Sequence, residues 1–288
     1  MTSIKRLILG LAAGAARLLP MPVKRWLYQS PLLAGFIRRS LNKAAPGGIT
    51  SVKVAGGILK GARLCLDLQT EKDYWLGTYE PDLQYAARDF VKKGMVVFDV
   101  GANIGYISLL AARLVGQSGR IFAFEALPAN IDRLKENLAA NSWASQAQVI
   151  HAAVTDSMGQ ATFLVHPSGA MGKTVESTGR QADYSQRIQV PSISLDHFVF
   201  EQGNPHPQLV KMDIEGGEGL ALLGMARILQ KIRPLLLIEL HGQQAAQQVW
   251  ENLRRHGYSM HRMQKGYEQI ADVQALDWKA YVVAIPQE

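Results

Sequence analysis

The chain has 288 residues, 48% hydrophobic and 19% charged, which excludes a disordered polymer and supplies the core of one large domain or a domain with an appendage. Its single cysteine, Cys65, excludes an internal disulfide framework and a cysteine-based zinc site, and fits a reducing compartment. Residues 1–63 carry 11 Lys or Arg and no acid, leaving 20 bases against all 24 acids in the remainder, a net of −4, and a body of that charge argues against nucleic acid as a partner.

Residues 1–48 read as a basic, amphipathic, helical N-terminal arm. Met1–Arg6 has the charge of a signal-peptide start and Leu7–Ala16 is apolar, but Arg17 interrupts the run, and ten residues are too few to span a bilayer. The arm is expected either to pack on the body as ordinary helices or to lie on an anionic membrane face through residues 1–45. Asn42–Thr50, with Pro46-Gly47-Gly48, reads as a linker. Ser51–Leu68, broken at Gly56-Gly57 and Gly61, reads as a hairpin of short strands, and Pro81–Val91 as a helix.

From residue 95 strands and helices alternate. Met95–Val100 is an apolar strand, Ile104–Val115 a helix stopped by Gly116, Arg120–Glu125 a strand, and Pro128–Ala140 a helix with proline in its first turn. Gln148–Val154 is a third strand. Ala161–His166 and Arg187–Ser194 are β-rich, separated by a Gly/Ser-rich loop, Pro167–Gln186, that suits a lid on the acceptor side. Leu209–Ile214 is the next core strand, Gly217–Gln230 a helix, Pro234–Leu240 a strand and Gln243–His256 a helix. Tyr258–Met263 and Tyr281–Ile285 close the sheet. The alternation predicts a doubly wound α/β fold, arm 1–48 followed by a domain 49–288 with an approach segment (49–94) and a Rossmann-like core (95–288). Ligands bind such sheets beyond the strands' carboxyl ends, here just after Val100, Phe124, Ala153, Met212 and Ile238.

Four clusters fall there. Asp99-Val-Gly101-Ala-Asn103-Ile-Gly105 lies between a strand and a helix, with Gly101 permitting a tight turn and Gly105 a close approach of helix to strand. A helix N-terminus offers unpaired N–H groups that suit a carboxylate or a phosphate. The Gly-x-Asn-x-Gly spacing lacks the Gly-x-Gly-x-x-Gly of dinucleotide sites, and Asp99 suits an ammonium better than a pyrophosphate. A ligand with both an ammonium and a carboxylate is the methionine end of S-adenosylmethionine. Glu125, 24 residues beyond Gly101, ends the second strand, where a carboxylate can take both ribose hydroxyls. In Lys211-Met-Asp213-Ile-Glu215-Gly-Gly-Glu218, Asp213 points toward the predicted cleft, whereas Glu218 is covered by the ordinary preference for acids at helix starts. In Ile238-Glu239-Leu240-His241, a continuing strand puts Glu239 and His241 on one face. Histidine is the natural general base near neutral pH. Gly172-Lys173-Thr174 lacks the first glycine of a phosphate loop and is set aside.

At these residues the chain resembles the FkbM family of S-adenosylmethionine-dependent methyltransferases. The matching pieces, in the family's order, are Trp75–Pro81, Phe98–Ser108, Phe122–Glu125, Asn137-Leu138, Ser194–Asp196 and Lys211–Glu218. One departure is that Ala126, not proline, follows the ribose-binding glutamate, with proline at 128. The resemblance implies a class I methyltransferase fold with a seven-stranded, mostly parallel sheet flanked by helices. It further implies O-methylation of hydroxyls on sugars, polyketides or related metabolites, with Tyr79 and Glu80 over the methionine moiety or cleft mouth.

The expected cofactor is S-adenosyl-L-methionine, held by Tyr79, Glu80, Asp99, Gly101, Asn103, Gly105, Glu125, Ala153 and Asp213. The expected base is His241 or Asp213, oriented by Glu239 or Glu215. The site is expected to be metal-free, with a divalent ion on Asp213, Glu239 and His241 as the alternative. The expected acceptor is a small molecule or glycan, not nucleic acid, and the expected location is the cytoplasm, with the inner membrane face as an option for the arm. Two rivals stand beside this reading, an NAD-dependent nucleotide-sugar oxidoreductase or epimerase and a non-catalytic, membrane-peripheral binding module.

Overall fold

The computed structural model describes residues 47–287 apart from 170, 180–183 and 185, together with residues 10, 11, 14, 15 and 23. Those five are helical, and the rest of the expected arm lies outside the described residues. The chain divides into two units, Met1–Pro81 and Asp82–Glu288. No helix among the described residues is long and apolar enough to cross a membrane.

In the first unit the expected hairpin is present: β1 (Ile49–Lys53) pairs antiparallel with β2 (Arg63–Asp67). A short helix that the sequence reading missed, α1 (Lys72–Leu76), ends at Gly77 with φ +72. A Cβ at Gly77 would stand 2.1 Å from the Gly56 carbonyl oxygen, so only glycine closes this turn. Tyr79 stacks on Tyr74 with centroids 4.2 Å apart, and Glu80 holds φ +41. Helix α2 (Pro81–Phe90) leads on into the second unit.

The second unit opens with β3 (Val96–Val100), α3 (Tyr106–Val115), β4 (Arg120–Glu125), α4 (Pro128–Ala139) and β5 (Ala147–His151). The third strand read as Gln148–Val154 is two pieces, β5 and then β6 (Ala153–Val154), which joins a separate sheet with β7 (Gly159–Val165), β8 (Gly172–Thr174) and β9 (Gln186–Ile193). Then follow β10 (Leu209–Met212), α5 (Glu218–Leu223), α6 (Ala226–Lys231), β11 (Leu235–His241), α7 (Gln243–Arg255), β12 (Tyr258–Arg262) and β13 (Lys279–Pro286). The single helix expected over 217–230 breaks because the Asp196 carboxylate accepts the Arg227 and Ile228 N–H groups, capping α6 from outside the helix.

The main sheet has the order β12-β13-β11-β10-β3-β4-β5, with β13 alone antiparallel to its neighbours. This is the seven-stranded, mostly parallel class I arrangement, and its order reverses between β3 and β10, the switch point at which such folds bind ligands. Strands β3, β4, β10 and β11 are buried on both faces, as parallel strands between helix layers must be. Phe98, Phe122, Phe124 and Phe198 pack edge to face at 5.1 to 5.6 Å and fix the seam of β3 and β4. Each such contact adds roughly 0.5–1.5 kcal/mol beyond the area it buries.

Candidate active site

The turn after β3 is built on left-handed residues, Gly101 at φ +78, Asn103 at φ +50 and Gly105 at φ +91. Gly101 and Ala102 both donate to the Phe124 carbonyl, tying the turn to the end of β4. A Cβ at Gly101 would lie 1.9 Å from the Asp213 carbonyl oxygen, so glycine there lets the loops after β3 and β10 touch. Gly105 works differently from the sequence expectation. Its missing Cβ makes room for Leu134 of α4, at 2.5 Å, so the close approach is to a neighbouring helix and not to the strand. Asn137, fully buried on α4, donates to the Ile104 carbonyl and braces the same turn. Helix α3 starts with no side-chain cap, which leaves its first N–H groups available to a carboxylate.

Asp99 also has a structural place. Its carboxylate is fully buried, accepting from the Ser108 hydroxyl at 2.5 Å and facing Lys211 Nζ at 3.2 Å. Lys211 pairs with Asp99 across the β3–β10 register and donates to the Gly101 carbonyl at 2.8 Å. Both Asp99 oxygens thus have interior partners, which tie the start of the turn to α3 and β10. Glu125 ends β4 as expected. One oxygen accepts the Asn103 N–H at 2.7 Å, and the other takes the Leu127 N–H at 2.8 Å and the Asn130 amide at 3.4 Å. Burial raises its pKa, opposed by those hydrogen bonds. A carboxylate has about four acceptor positions, so Glu125 keeps capacity for a ribose hydroxyl. Ala153 is buried in an apolar cluster with Ala126 and Leu127, just past that turn. The left-handed turn, the uncapped helix and the part-filled Glu125 fit the amino-acid and ribose portions of S-adenosylmethionine.

The second half of the site gathers at the ends of β10 and β11. His241 Nε2 stands 3.0 Å from Glu239, 3.8 Å from Asp213 and 3.9 Å from Glu215, while Nδ1 faces Glu218 at 3.3 Å. The period-two placement of Glu239 and His241 on one face is as read from sequence. Glu218 departs from its expected role. It is fully buried, accepts the Ile214 and Gly216 N–H groups, and belongs to the cluster instead of merely facing a helix dipole. Glu215 holds φ +54, and with Glu80 and Asn103 it makes three candidate site residues in a conformation that non-glycine residues seldom adopt. Lys279 pairs with Glu239 from β13.

These charges decide the proton's place. Burial would lower the pKa of His241, but hydrogen bonds to Glu218 and Glu239 and the charges of Asp213 and Glu218 outweigh it and raise it to about 10. In the absence of a metal ion those carboxylates favour a proton on the ring. Asp213 is raised to about 7, first by burial and then by Glu239, against Lys211 and His241. Burial would raise Glu239 too, yet His241 and Lys279 hold it down at about 2.

Two features were missed in the sequence. Trp278 precedes β13, is 46% exposed, and stands edge-on to His241 with centroids 6.0 Å apart. Its carbonyl accepts the Gly242 N–H, which fixes it at the cleft end of β11. The loop expected to act as a lid carries β8 and docks on the acidic turn: the Thr178 N–H donates to the Gly216 carbonyl, and a Cβ at Gly179 would stand 2.2 Å from the Glu215 carbonyl oxygen.

Residues 99–260 match the methyltransferase FkbM domain. Hexuronic acid methyltransferase AglP of Haloferax volcanii is 31% identical over 146 residues, covering 51% of this chain and 56% of that protein. The match thus spans little more than half of that relative's length. Among solved structures, methyltransferase FkbM from Methylobacillus flagellatus aligns at a TM-score of 0.44 and 14% identity, over 90% of this chain and 60% of that one. An S-adenosylmethionine-dependent O-methyltransferase from Thermotoga maritima aligns at 0.43 and 15%, over 89% and 82%. Because the matched span, from Asp99 in β3 to Met260 in β12, takes in more than half of the chain and both halves of the cluster just described, this chain belongs to the FkbM family of S-adenosylmethionine-dependent methyltransferases.

Proposed function

We propose that this protein methylates a hydroxyl group of a sugar or glycan. The observation that carries the proposal is the meeting of Asp213, Glu239 and His241 beside the Gly101 turn, at the switch point of the sheet. Support for a sugar comes from the name of the Haloferax relative and from Trp278, a half-exposed indole at the rim whose face suits the C–H groups of a pyranose.

The α3 N-terminus and Glu125 take the carboxylate and ribose of the donor, with Ala153 as a further contact. When bound, S-adenosylmethionine supplies a sulfonium methyl group, whose C–S electron pair stays on sulfur as the new C–O bond forms. Asp213 accepts the acceptor's O–H proton, so that the products are a methyl ether, S-adenosylhomocysteine and a protonated carboxyl. Asp213 suits this because its side chain is 21% exposed, whereas His241, at 2%, has both nitrogens facing carboxylates. His241, itself fixed by Glu218 and Glu239, faces Asp213 at 3.8 Å. Positioning of donor and acceptor can account for roughly 7–11 kcal/mol of such a barrier.

The test is incubation with methyl-labelled S-adenosylmethionine and neutral and uronic-acid glycans. Label recovered as a sugar O-methyl ether supports the proposal. Label on nitrogen or carbon, or tight binding of NAD in place of S-adenosylhomocysteine, refutes it.

A further inference from the structure

Four carboxylates converge on one imidazole, and their arrangement is directional. Glu218 is fully buried and pinned by the N–H groups of Ile214 and Gly216, so its contact with Nδ1 fixes the ring. Nε2 is thereby aimed at Asp213, Glu239 and Glu215. An imidazole whose second nitrogen is held by a carboxylate is the arrangement that metal-binding histidines use to set tautomer and orientation.

One donor atom each from Asp213, Glu239 and His241 lies within 4.8 Å of the other two. Oxygen and nitrogen ligands about 2.1 Å from an octahedral ion stand roughly 3.0 Å apart when adjacent and roughly 4.2 Å when opposite. The observed 3.0 Å from Nε2 to Glu239 Oε1 and 3.8 Å to Asp213 Oδ1 fall within that range. A second observation is independent of these spacings. Glu239 is 4% exposed, and while its Oε1 is engaged by His241 and Lys279, its Oε2 is buried and accepts no hydrogen bond from the described residues. Buried carboxylate oxygens are rarely left so, and this one can bind an ion without breaking the Lys279 pair.

We propose that Asp213, Glu239 and His241 form a divalent-cation site of the Mg²⁺ or Mn²⁺ type, with Glu215 near enough to join. This departs from the metal-free expectation and rests on the reading of the cleft as an acceptor site. Three protein ligands leave positions for oxygens of the acceptor, and a hard dication prefers adjacent oxygens, as in a vicinal diol or a hydroxyl beside a carboxylate. A dication among these carboxylates also adds positive charge toward an anionic acceptor.

The experiment is titration of the full chain with Mn²⁺, followed by electron paramagnetic resonance, with S-adenosylhomocysteine titration alongside. The expected result is one Mn²⁺ per chain with a nitrogen coupling from an imidazole. The coupling should vanish in His241→Gln, and affinity should fall at least tenfold in Asp213→Asn and Glu239→Gln. Retained S-adenosylhomocysteine binding by His241→Gln and Glu239→Gln shows that those variants are folded. Wild-type protein that binds S-adenosylhomocysteine but no Mn²⁺ at millimolar metal overturns the site and leaves the methyltransferase reading standing. Mn²⁺ binding unchanged in all three variants overturns it as well. Loss of S-adenosylhomocysteine binding in the wild type strikes the methyltransferase reading, and the Mn²⁺ titration still decides the cation site.

Discussion

Lys211 and Asp99 offer the sharpest test of how the turn after β3 is held. Replacing Lys211 with Met strips the partner from a carboxylate that is fully buried and left with Ser108 alone. Breaking a buried pair from one side costs about 3–5 kcal/mol, because the remaining charge stays out of water. For a unit of this size each kcal/mol moves Tm by about 2–4 °C, so Lys211→Met should melt roughly 6–20 °C lower in a thermal scan. The double variant Asp99→Asn/Lys211→Met removes both charges and should recover more than half of that loss. The same double variant separates two roles for Asp99. If the residue only positions the turn, S-adenosylhomocysteine affinity should stay within about fivefold of wild type. If it reached the ligand's ammonium, the lost charge-assisted bond of about 1.5–3 kcal/mol would weaken binding roughly 10- to 150-fold. A Lys211→Met variant within 1 kcal/mol of wild type in chemical denaturation, or a double variant with that loss of affinity, would refute the reasoning.

Gly101→Ala should abolish S-adenosylhomocysteine binding and lower Tm, since its Cβ would collide with the Asp213 carbonyl at 1.9 Å while the backbone sits at φ +78; calorimetric titration and a melt check both. Trp278→Ala should raise the acceptor KM about tenfold, near 1.4 kcal/mol, with the donor KM unchanged, and steady-state kinetics with each substrate varied will show it. Removing residues 1–45 takes away eight of the chain's bases and, if the arm lies on membranes, should end binding to anionic vesicles that itself weakens as salt is raised. Co-sedimentation that is absent or salt-independent in the intact chain would leave the arm as packing.

The alternation of apolar strands and amphipathic helices was enough to read the core of the sheet, because parallel strands buried on both faces are near-continuous apolar runs. Period two put Glu239 beside His241, and the strand–Gly–helix pattern located the turn after β3. What failed were contacts made across the sequence. Asp99 looked available because its partner Lys211 is 112 positions away, and Glu218 looked like a helix-start acid because nothing local reveals that His241 seats against it. The ring of carboxylates around His241 comes from two neighbouring strand ends. Trp278 carried a weak signal, an aromatic directly ahead of the last strand, but its place at the cleft follows from β13 running antiparallel to β11. The break after Leu223 came from Asp196, a cap supplied by a residue outside the helix.

Turnover of Asp213→Asn tests the account most directly, measured as methyl transfer from labelled S-adenosylmethionine to the glycan that the wild-type enzyme accepts. The side chain keeps its size and loses its capacity to take a proton, so the rate should fall by about 10²–10⁴ while S-adenosylhomocysteine affinity stays within a few fold. Full turnover by this variant, with normal donor binding, would contradict the assignment of the strand-end carboxylate as the group that receives the acceptor's proton.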